Sequence, residues 1–435
     1  MKDVRFRTAQ GSLVLVEESH ALPMVDFEVT LRTGSVFDPT GKEGLARLTA
    51  RMLRTGTKSL RANDVEEAID ALGASLGIET SPSYTRFSGA VIRRNFEEFM
   101  MLLGQLLTRP SFRPADLEQC RREALADVME NRDNDRGLAA REFRNVVFNG
   151  HPYARSVLGT AKSIRRISTG DVVRHYKQQY RSKNMIFGFA GDIRVVDAKK
   201  IVKKAFGQVR LGTAPALKLP EPKALKGRRV VVVNKPARSQ TQIFVGGLGT
   251  HARDTDHVAL MVANTVFGGT FTSRLMREVR SIRGWSYGAS SRLGTDRCRE
   301  AFYMWTFPSA KDAVACVKLE LELLETLIKK GVTAKEVAFA KDFLINSNAF
   351  EIDTPIKRLD QRVDVELYGL PKDYFQNQLK KIRRVTHTEA NRALKKRLSS
   401  EHLAIVMLAT ESDVKAGLLK LPGVSAVESV PFDAD

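Results

Sequence analysis

The sequence predicts an α+β protein of two homologous halves, each a mostly antiparallel sheet covered by helices, with the halves facing each other across a cleft. The chain has 435 residues, more than one hydrophobic core usually serves, so at least two domains are expected. Segments of the first half recur about 218 residues later, and such a period indicates an internal duplication. In each half, strand-like runs precede long helical stretches, which is typical of α+β domains.

The internal repeat is visible at both ends of each half. The sequence IRRIS is matched late in the chain by IRRVT, and each is followed by a helical stretch and then by an apolar, strand-like run. Two strand-like runs also open each half. The matched segments are residues 164–168 with 382–386, 184–190 with 402–408, and 13–16 with 230–233.

The elements of the first half follow from apolar periodicity. Apolar residues recur at helical spacing from Val65 to Leu72 behind Asn63 or Asp64, either of which can cap a helix, so a helix is predicted at 64–72. A strand is predicted at 84–92 and helices at 96–107 and 114–132.

A stretch punctuated by proline, from Leu211 to Pro222, has little apolar periodicity and predicts a linker. The expected organisation is an N-terminal α+β domain at residues 1–211, a linker at 212–226 and a C-terminal α+β domain at 227–435.

The charge balance favours anionic partners. Lys and Arg number 70 against 50 Asp and Glu, a formal net charge of +20, which attracts acidic molecules. The basic residues are spread along the whole chain and form no recognisable nucleic-acid-binding motif, so nucleic acid is not expected as a partner. A basic chamber for acidic peptide segments, or an acidic partner subunit, explains the charge equally well.

The three cysteines, Cys120, Cys298 and Cys316, show no C-x-x-C spacing and predict free thiols, without a disulfide framework or a thiolate zinc site. No run of about 18 apolar residues predicts a membrane span. The expected location is the periplasm, with a leader removed or absent from this sequence, and the cytoplasm is the alternative.

The segment from Gly34 to Ala46, followed by Met52-Leu53 and Gly56-Thr57, resembles the surroundings of the zinc motif of pitrilysin/insulinase-family peptidases. Active members carry H-x-x-E-H there, with two zinc ligands and a general base on one helix. The resemblance puts Arg47, Ala50 and Arg51 at those three positions and Asp127 at the third ligand. No metal is therefore expected in this chain, because arginine offers no lone pair and alanine no carboxylate. Whether the two arginines are solvated helix charges or act in a cleft stays open.

The segment from Gly268 to Tyr287 resembles that family's second signature, a glycine turn followed by S-R-L and R-x-x-x-G-x-x-Y. The resemblance implies that Arg280 and Tyr287 bind the substrate backbone and stabilise the transition state, and that Gly268, Gly269 and Ser273 contribute to substrate binding. A guanidinium and a neutral phenol are suitable donors to peptide carbonyls and to a developing oxyanion.

Together, these resemblances imply a chain that keeps the substrate-binding arginine and tyrosine of a zinc peptidase without its metal site. The expected function is that of the non-catalytic subunit of a heterodimeric zinc endopeptidase, inert alone, whose zinc and general base come from a homologous partner that bears the zinc motif. The expected substrate is a peptide or unfolded polypeptide, to which Arg280 and Tyr287 act in trans. A structural scaffold subunit and a peptide-binding module, both without proteolysis, are the alternatives.

Overall fold

The computed structural model describes residues 3–216 and 218–434, which form two compact units. Each unit is assembled from three segments of the chain. Unit 1 contains Met1–Val128, Arg155–Lys218 and Phe350–Lys372, and unit 2 contains Met129–Ala154, Leu219–Ala349 and Asp373–Asp435. The sequence repeat predicted boundaries at 211 and 227. In the compact units, residues 129–154 and 350–372 each belong to the unit built mainly from the other half of the chain.

Unit 1 is built on a mixed sheet. Among the described residues its strand order is β1-β2-β6-β3-β5-β4, and each neighbouring pair is antiparallel except β2 and β6. The strands are β1 (Asp3–Arg7), β2 (Leu13–Glu18), β3 (Met24–Leu31), β4 (Gly77–Thr80), β5 (Thr85–Ile92) and β6 (Met185–Gly191).

The first half of the chain supplies eight α-helices within the described residues. All but α5, which belongs to unit 2, lie wholly or mainly in unit 1. They are α1 (Leu45–Leu53), α2 (Ala62–Ala71), α3 (Phe96–Thr108), α4 (Pro114–Glu130), α5 (Asp135–Val147), α6 (Ala161–Arg166), α7 (Thr169–Gln179) and α8 (Val195–Phe206).

Unit 2 repeats this sheet. Its order is β12-β7-β11-β8-β10-β9 in the described part of the chain. The parallel pair β7–β11 and the antiparallel pair β11–β8 take the places of β2–β6 and β6–β3. The strands are β7 (Arg228–Asn234), β8 (Gln242–Leu248), β9 (Ala289–Leu293), β10 (Ala301–Thr306), β11 (Leu403–Ala409) and β12 (Val427–Pro431). Two homologous α+β halves with mostly antiparallel sheets are thus confirmed.

The edge strand is where the two sheets differ. β1 is antiparallel to its neighbour and comes from the start of the chain, whereas β12 is parallel to its neighbour and comes from the end. The helices of the second half are α9 (His257–Gly268), α10 (Arg274–Met276), α11 (Ala313–Lys330), α12 (Ala334–Ser347), α13 (Pro355–Tyr368), α14 (Tyr374–Arg384), α15 (His387–Arg397) and α16 (Glu411–Leu418), of which α13 belongs to unit 1.

The central strands are buried on both faces. On β2, Val14 and Val16 point into the main core of unit 1, while Leu13 and Leu15 point to the other face and pack with Leu359 of α13. A continuous apolar run without polar alternation is what a strand covered on both sides requires. The corresponding helix in unit 2 is α5, which packs on β7, β8 and β11.

The periodic elements of the first half lie close to their predicted bounds, and the main difference is at the start of α2. Its N-cap is Arg61 rather than Asn63 or Asp64. The Asp64 carboxylate instead accepts the backbone N–H of Arg61 at 2.7 Å, so it caps the helix from inside its first turn. Within the described residues, no helix is long and apolar enough to cross a membrane.

Glu320 on α11 gives unit 2 a pH-dependent stability. It is fully buried, and this burial raises the pKa of its carboxyl group from 4.5 to about 8. Between these two values the native state holds a proton that the unfolded chain has lost. Stability therefore falls as the pH rises through this window, by about 1.4 kcal/mol per pH unit. We expect Glu320→Gln to remove this contribution.

The measurement is the free energy of unfolding of both proteins in urea across that pH window. Below the unfolded pKa the two should be similarly stable, and above the folded pKa the variant should be more stable. The difference between them isolates Glu320 from other titrating groups. Parallel profiles for the two proteins would contradict the prediction.

Candidate functional site

Helix α1, which carries three of the predicted site residues, begins at a left-handed glycine. Gly44 has φ 93°, and a Cβ there would lie 2.9 Å from the carbonyl oxygen of Leu158. The buried Asp38 carboxylate accepts the backbone N–H groups of Gly44 and Ala46, both at 2.8 Å. These bonds satisfy donors that a first helical turn leaves free and fix the start of α1.

The predicted metal-site positions come together as an ion-pair cluster. Arg47 and Arg51 are one turn apart on α1, and the Nη2 atoms of both contact the same oxygen, Oδ2 of Asp127 on α4, at 2.7 Å and 2.6 Å. We call these three residues the Arg–Asp–Arg cluster. The three side chains are between 22% and 28% exposed, and Ala50 is fully buried beside them. A carboxylate thus joins α1 to α4.

A zinc ion does not fit this arrangement. Both arginine side chains are donors without a lone pair, Ala50 has no group to serve as a base, and the one carboxylate is already engaged by two guanidinium groups. No group of three or more His, Cys, Asp or Glu side chains in the described residues could hold a metal ion.

The cluster leaves hydrogen-bonding capacity unused. Burial lowers the pKa of Arg47 from its ordinary value, an effect that the adjacent Asp127 carboxylate opposes. The Nη1 atoms of Arg47 and Arg51 are both shielded from solvent and have no hydrogen-bond partner among the described residues. Buried donors of this kind are rare in native proteins.

The second predicted site lies where α9 ends. A Cβ on Gly268 would lie 2.4 Å from the backbone nitrogen of Ser291 on β9, and one on Gly269 would lie 2.7 Å from the Cα of Thr265. Both glycines are therefore required by close packing within the chain. Ser273 is buried, and its hydroxyl caps α10 by accepting the N–H of Met276 at 3.4 Å. A substrate-binding role for these three residues stays a prediction.

The structure brings Arg280 and Tyr287 together. Arg280 lies in a π-helical turn, Arg277–Ile282, a rare geometry that is frequent at functional sites. Its guanidinium carbon lies 4.5 Å from the centroid of the Tyr287 ring and 5.1 Å from that of Phe271. The two rings are 77% and 73% exposed. We call Phe271, Arg280 and Tyr287 the aromatic clamp.

The guanidinium of Arg280 stays available to a ligand. The neighbouring Arg277 and Arg283 both pair with Glu278, at 3.2 Å and 2.7 Å, whereas no carboxylate among the described residues pairs with Arg280. The rings of Phe271 and Tyr287 attract the guanidinium by cation–π interaction. Sequence reasoning missed Phe271, since a single aromatic residue in a glycine turn carries no periodic signal.

Two family models match consecutive parts of the chain. Residues 13–161 match the insulinase family, peptidase family M16, and residues 166–344 match the peptidase M16 inactive domain. The duplicated sheets and the two motif segments agree with this assignment. The chain therefore belongs to the pitrilysin/insulinase family, peptidase family M16.

Similar proteins cover nearly the whole chain. A protein of Helicobacter pylori named non-peptidase homolog YmxG is 25% identical over 408 residues, 92% of this chain and 93% of its own. An uncharacterized zinc protease of Mycobacterium tuberculosis is 25% identical over 412 residues, 93% of this chain and 92% of its own. A crystal structure described as a peptidase M16 inactive domain from Pseudomonas fluorescens has a TM-score of 0.87 and 26% identity, covering 94% of this chain and 98% of that one.

We expect the Asp127→Asn substitution in the Arg–Asp–Arg cluster to lower the stability of the protein. This change leaves two guanidinium groups facing each other without a counter-charge. We expect a loss of about 2 kcal/mol in the free energy of unfolding, less than for a fully buried pair because water screens the cluster in part. Urea unfolding measures this loss.

Asp197→Asn is a matched control for Asp127→Asn. Asp197 also accepts two arginines, Arg93 and Arg194, but Arg194 is 72% exposed. Its loss should therefore stay below about 1 kcal/mol. Equal losses for the two variants would show that the cluster at Asp127 is no more than a surface ion pair.

Proposed function

We propose that this chain is the non-catalytic subunit of a heterodimeric zinc peptidase. Its aromatic clamp binds the substrate peptide in an active site whose zinc and general base come from a homologous partner. The observation that carries the proposal is the geometry of Arg280, whose guanidinium lies within cation–π distance of two exposed rings and pairs with no carboxylate of the described residues.

The chemistry of the clamp suits a peptide. A guanidinium is a planar set of donors with no acceptor, so it can bind peptide carbonyl oxygens. A phenol stays neutral near neutral pH and donates one hydrogen bond, which can stabilise the negative charge that develops when a carbonyl is attacked. Contact with the two rings restricts the motion of the Arg280 guanidinium, which reduces the entropy lost when a ligand binds.

The metal-site positions support a division of labour. Arg47, Ala50 and Arg51 cannot supply a zinc ligand or a base, so proteolysis requires that both come from elsewhere. The names of two similar proteins, a non-peptidase homolog and an M16 inactive domain, agree with a chain that is inert on its own. Without a zinc-bearing partner, the same clamp serves a peptide-binding module or a scaffold subunit.

The test is peptide hydrolysis by this chain alone, by a candidate partner bearing H-x-x-E-H, and by the mixture, with zinc content measured on each subunit. We expect activity in the mixture and zinc only in the partner. Tyr287→Phe should lower kcat of the mixture by about 100-fold, because removal of one oxyanion donor costs this order.

Tyr84→Phe is the matched control, since Tyr84 also stacks on an arginine, Arg86, with 5.0 Å between the guanidinium carbon and the ring centroid. This variant should leave kcat unchanged. Zinc and hydrolysis in the isolated chain would overturn the proposal. A silent mixture would also contradict it, and peptide binding by the isolated chain would then favour a binding module over a scaffold.

A further inference from the structure

The Arg–Asp–Arg cluster carries one positive charge more than it neutralises. Its two guanidinium groups share a single carboxylate, Asp127, and even a single oxygen of it. The neighbouring Arg54 shows the usual arrangement, since its Nε and Nη2 atoms bind the two oxygens of Glu66, each at 2.6 Å. Arg54 is thus matched by one carboxylate of its own, and the cluster is one negative charge short.

The unused donors lie at the same place. The Nη1 atoms of Arg47 and Arg51 are buried without a hydrogen-bond partner among the described residues, and so is the hydroxyl of Thr80 on β4. Oδ2 of Asp127 meets the two Nη2 atoms at ion-pair distance but not in hydrogen-bond geometry. Burial of an unpartnered charged donor is unfavourable, and an acceptor supplied from outside relieves it.

A cavity of about 460 Å³ opens beside these groups. Its walls include Arg47, Arg51 and Thr80, together with the apolar side chains of Ala62 and Ile78. The acidic groups in the wall are Glu66 and Glu123. Both oxygens of Glu66 are occupied by Arg54, and Glu123 is exposed, where water screens its charge.

The charge and shape of the cavity select its ligand. The single excess positive charge of the Arg–Asp–Arg cluster, with Glu123 also in the cavity wall, suits a monoanion better than a phosphate with two charges. A carboxylate is planar and matches the donor fork of a guanidinium. The apolar part of the wall suits the carbon chain to which the carboxylate is attached.

We infer that this cavity is a carboxylate-binding subsite, in which Arg47 and Arg51 hold a carboxylate of a bound peptide at the place where active relatives hold zinc. The choice of a peptide as carrier rests on the proposed function. The carboxylate itself is either the C-terminus or an Asp or Glu side chain, and the two sources share the same chemistry.

The test uses the isolated chain and two pairs of short, fluorescently labelled peptides at low ionic strength, with anisotropy as the readout. One pair differs only in a free or amidated C-terminus. The other pair is amidated and differs only in one internal Glu or Gln. We expect the carboxylate member of at least one pair to bind about tenfold more tightly than its neutral counterpart. The pair that shows the difference identifies the source of the carboxylate.

Arg47→Gln/Arg51→Gln should abolish this difference, and Arg47→Lys/Arg51→Lys, which keeps both charges but removes the forks, should reduce it. Arg93→Gln is the matched control, because Arg93 is a 33% exposed arginine paired with an aspartate in the same unit, and it should change nothing. Thermal unfolding checks that each variant is folded. If the double glutamine variant does not fold, two other measurements decide. These are competition by acetate for binding to the wild type, and the peptide preference of the lysine variant.

Equal binding within both pairs would overturn the subsite, as would a difference that survives in a folded double variant. Acetate that fails to compete, or full retention of the difference in the lysine variant, would count against it in the same way. This result is independent of the proposed heterodimer. The heterodimer is tested separately, by peptide hydrolysis in the mixture and by the Tyr287→Phe variant, and neither measurement enters the peptide-binding test.

Discussion

Both units depend on covering the second face of their central strands. Strands β2 and β7 are apolar on successive residues, so a sheet with one solvated face would expose a row of Leu or Val side chains. In unit 1 this face is covered by α13, through Leu359 and Val363. In unit 2 it is covered by α5, where Phe143 lies 5.9 Å from both Phe244 and Tyr303, measured between ring centroids. With both faces closed, each sheet is a fixed base for the helices and turns that carry the site residues.

The two motif segments differ in the groups that they present. The Asp127 carboxylate joins α4 to α1 through an ion pair with two arginines, Arg47 and Arg51. An ion pair can link two helices as a metal does, yet it activates no water. The turn after α9, by contrast, keeps a donor pair that faces solvent. The first segment lacks the groups that zinc chemistry needs, and the second presents exposed donors.

The sequence predicted what depends on local spacing and on the repeat. The period of the chain predicted two α+β halves, and the family resemblance placed Arg47 and Arg51 four residues apart on one helix. It could not predict that both arginines meet one oxygen of Asp127, since that contact depends on tertiary packing. Nor could periodicity assign α5 and α13 to their sheets, because an amphipathic pattern says which face of a helix is buried but not by what. The family resemblance pointed to Arg280 and Tyr287, whereas Phe271 had no signal.

The segments that complete each sheet also bear on how the chain is made. As synthesis proceeds from the N-terminus, the strands of unit 1 leave the ribosome long before residues 350–372 do. Until then Leu13, Leu15 and Ile186 lack their covering helix, and nascent chains with exposed apolar strands are prone to aggregate. We therefore expect the first half not to complete its fold before residues 350–372 have been made. A chain that ends at the linker should therefore have a sheet with one exposed apolar face, which favours aggregation.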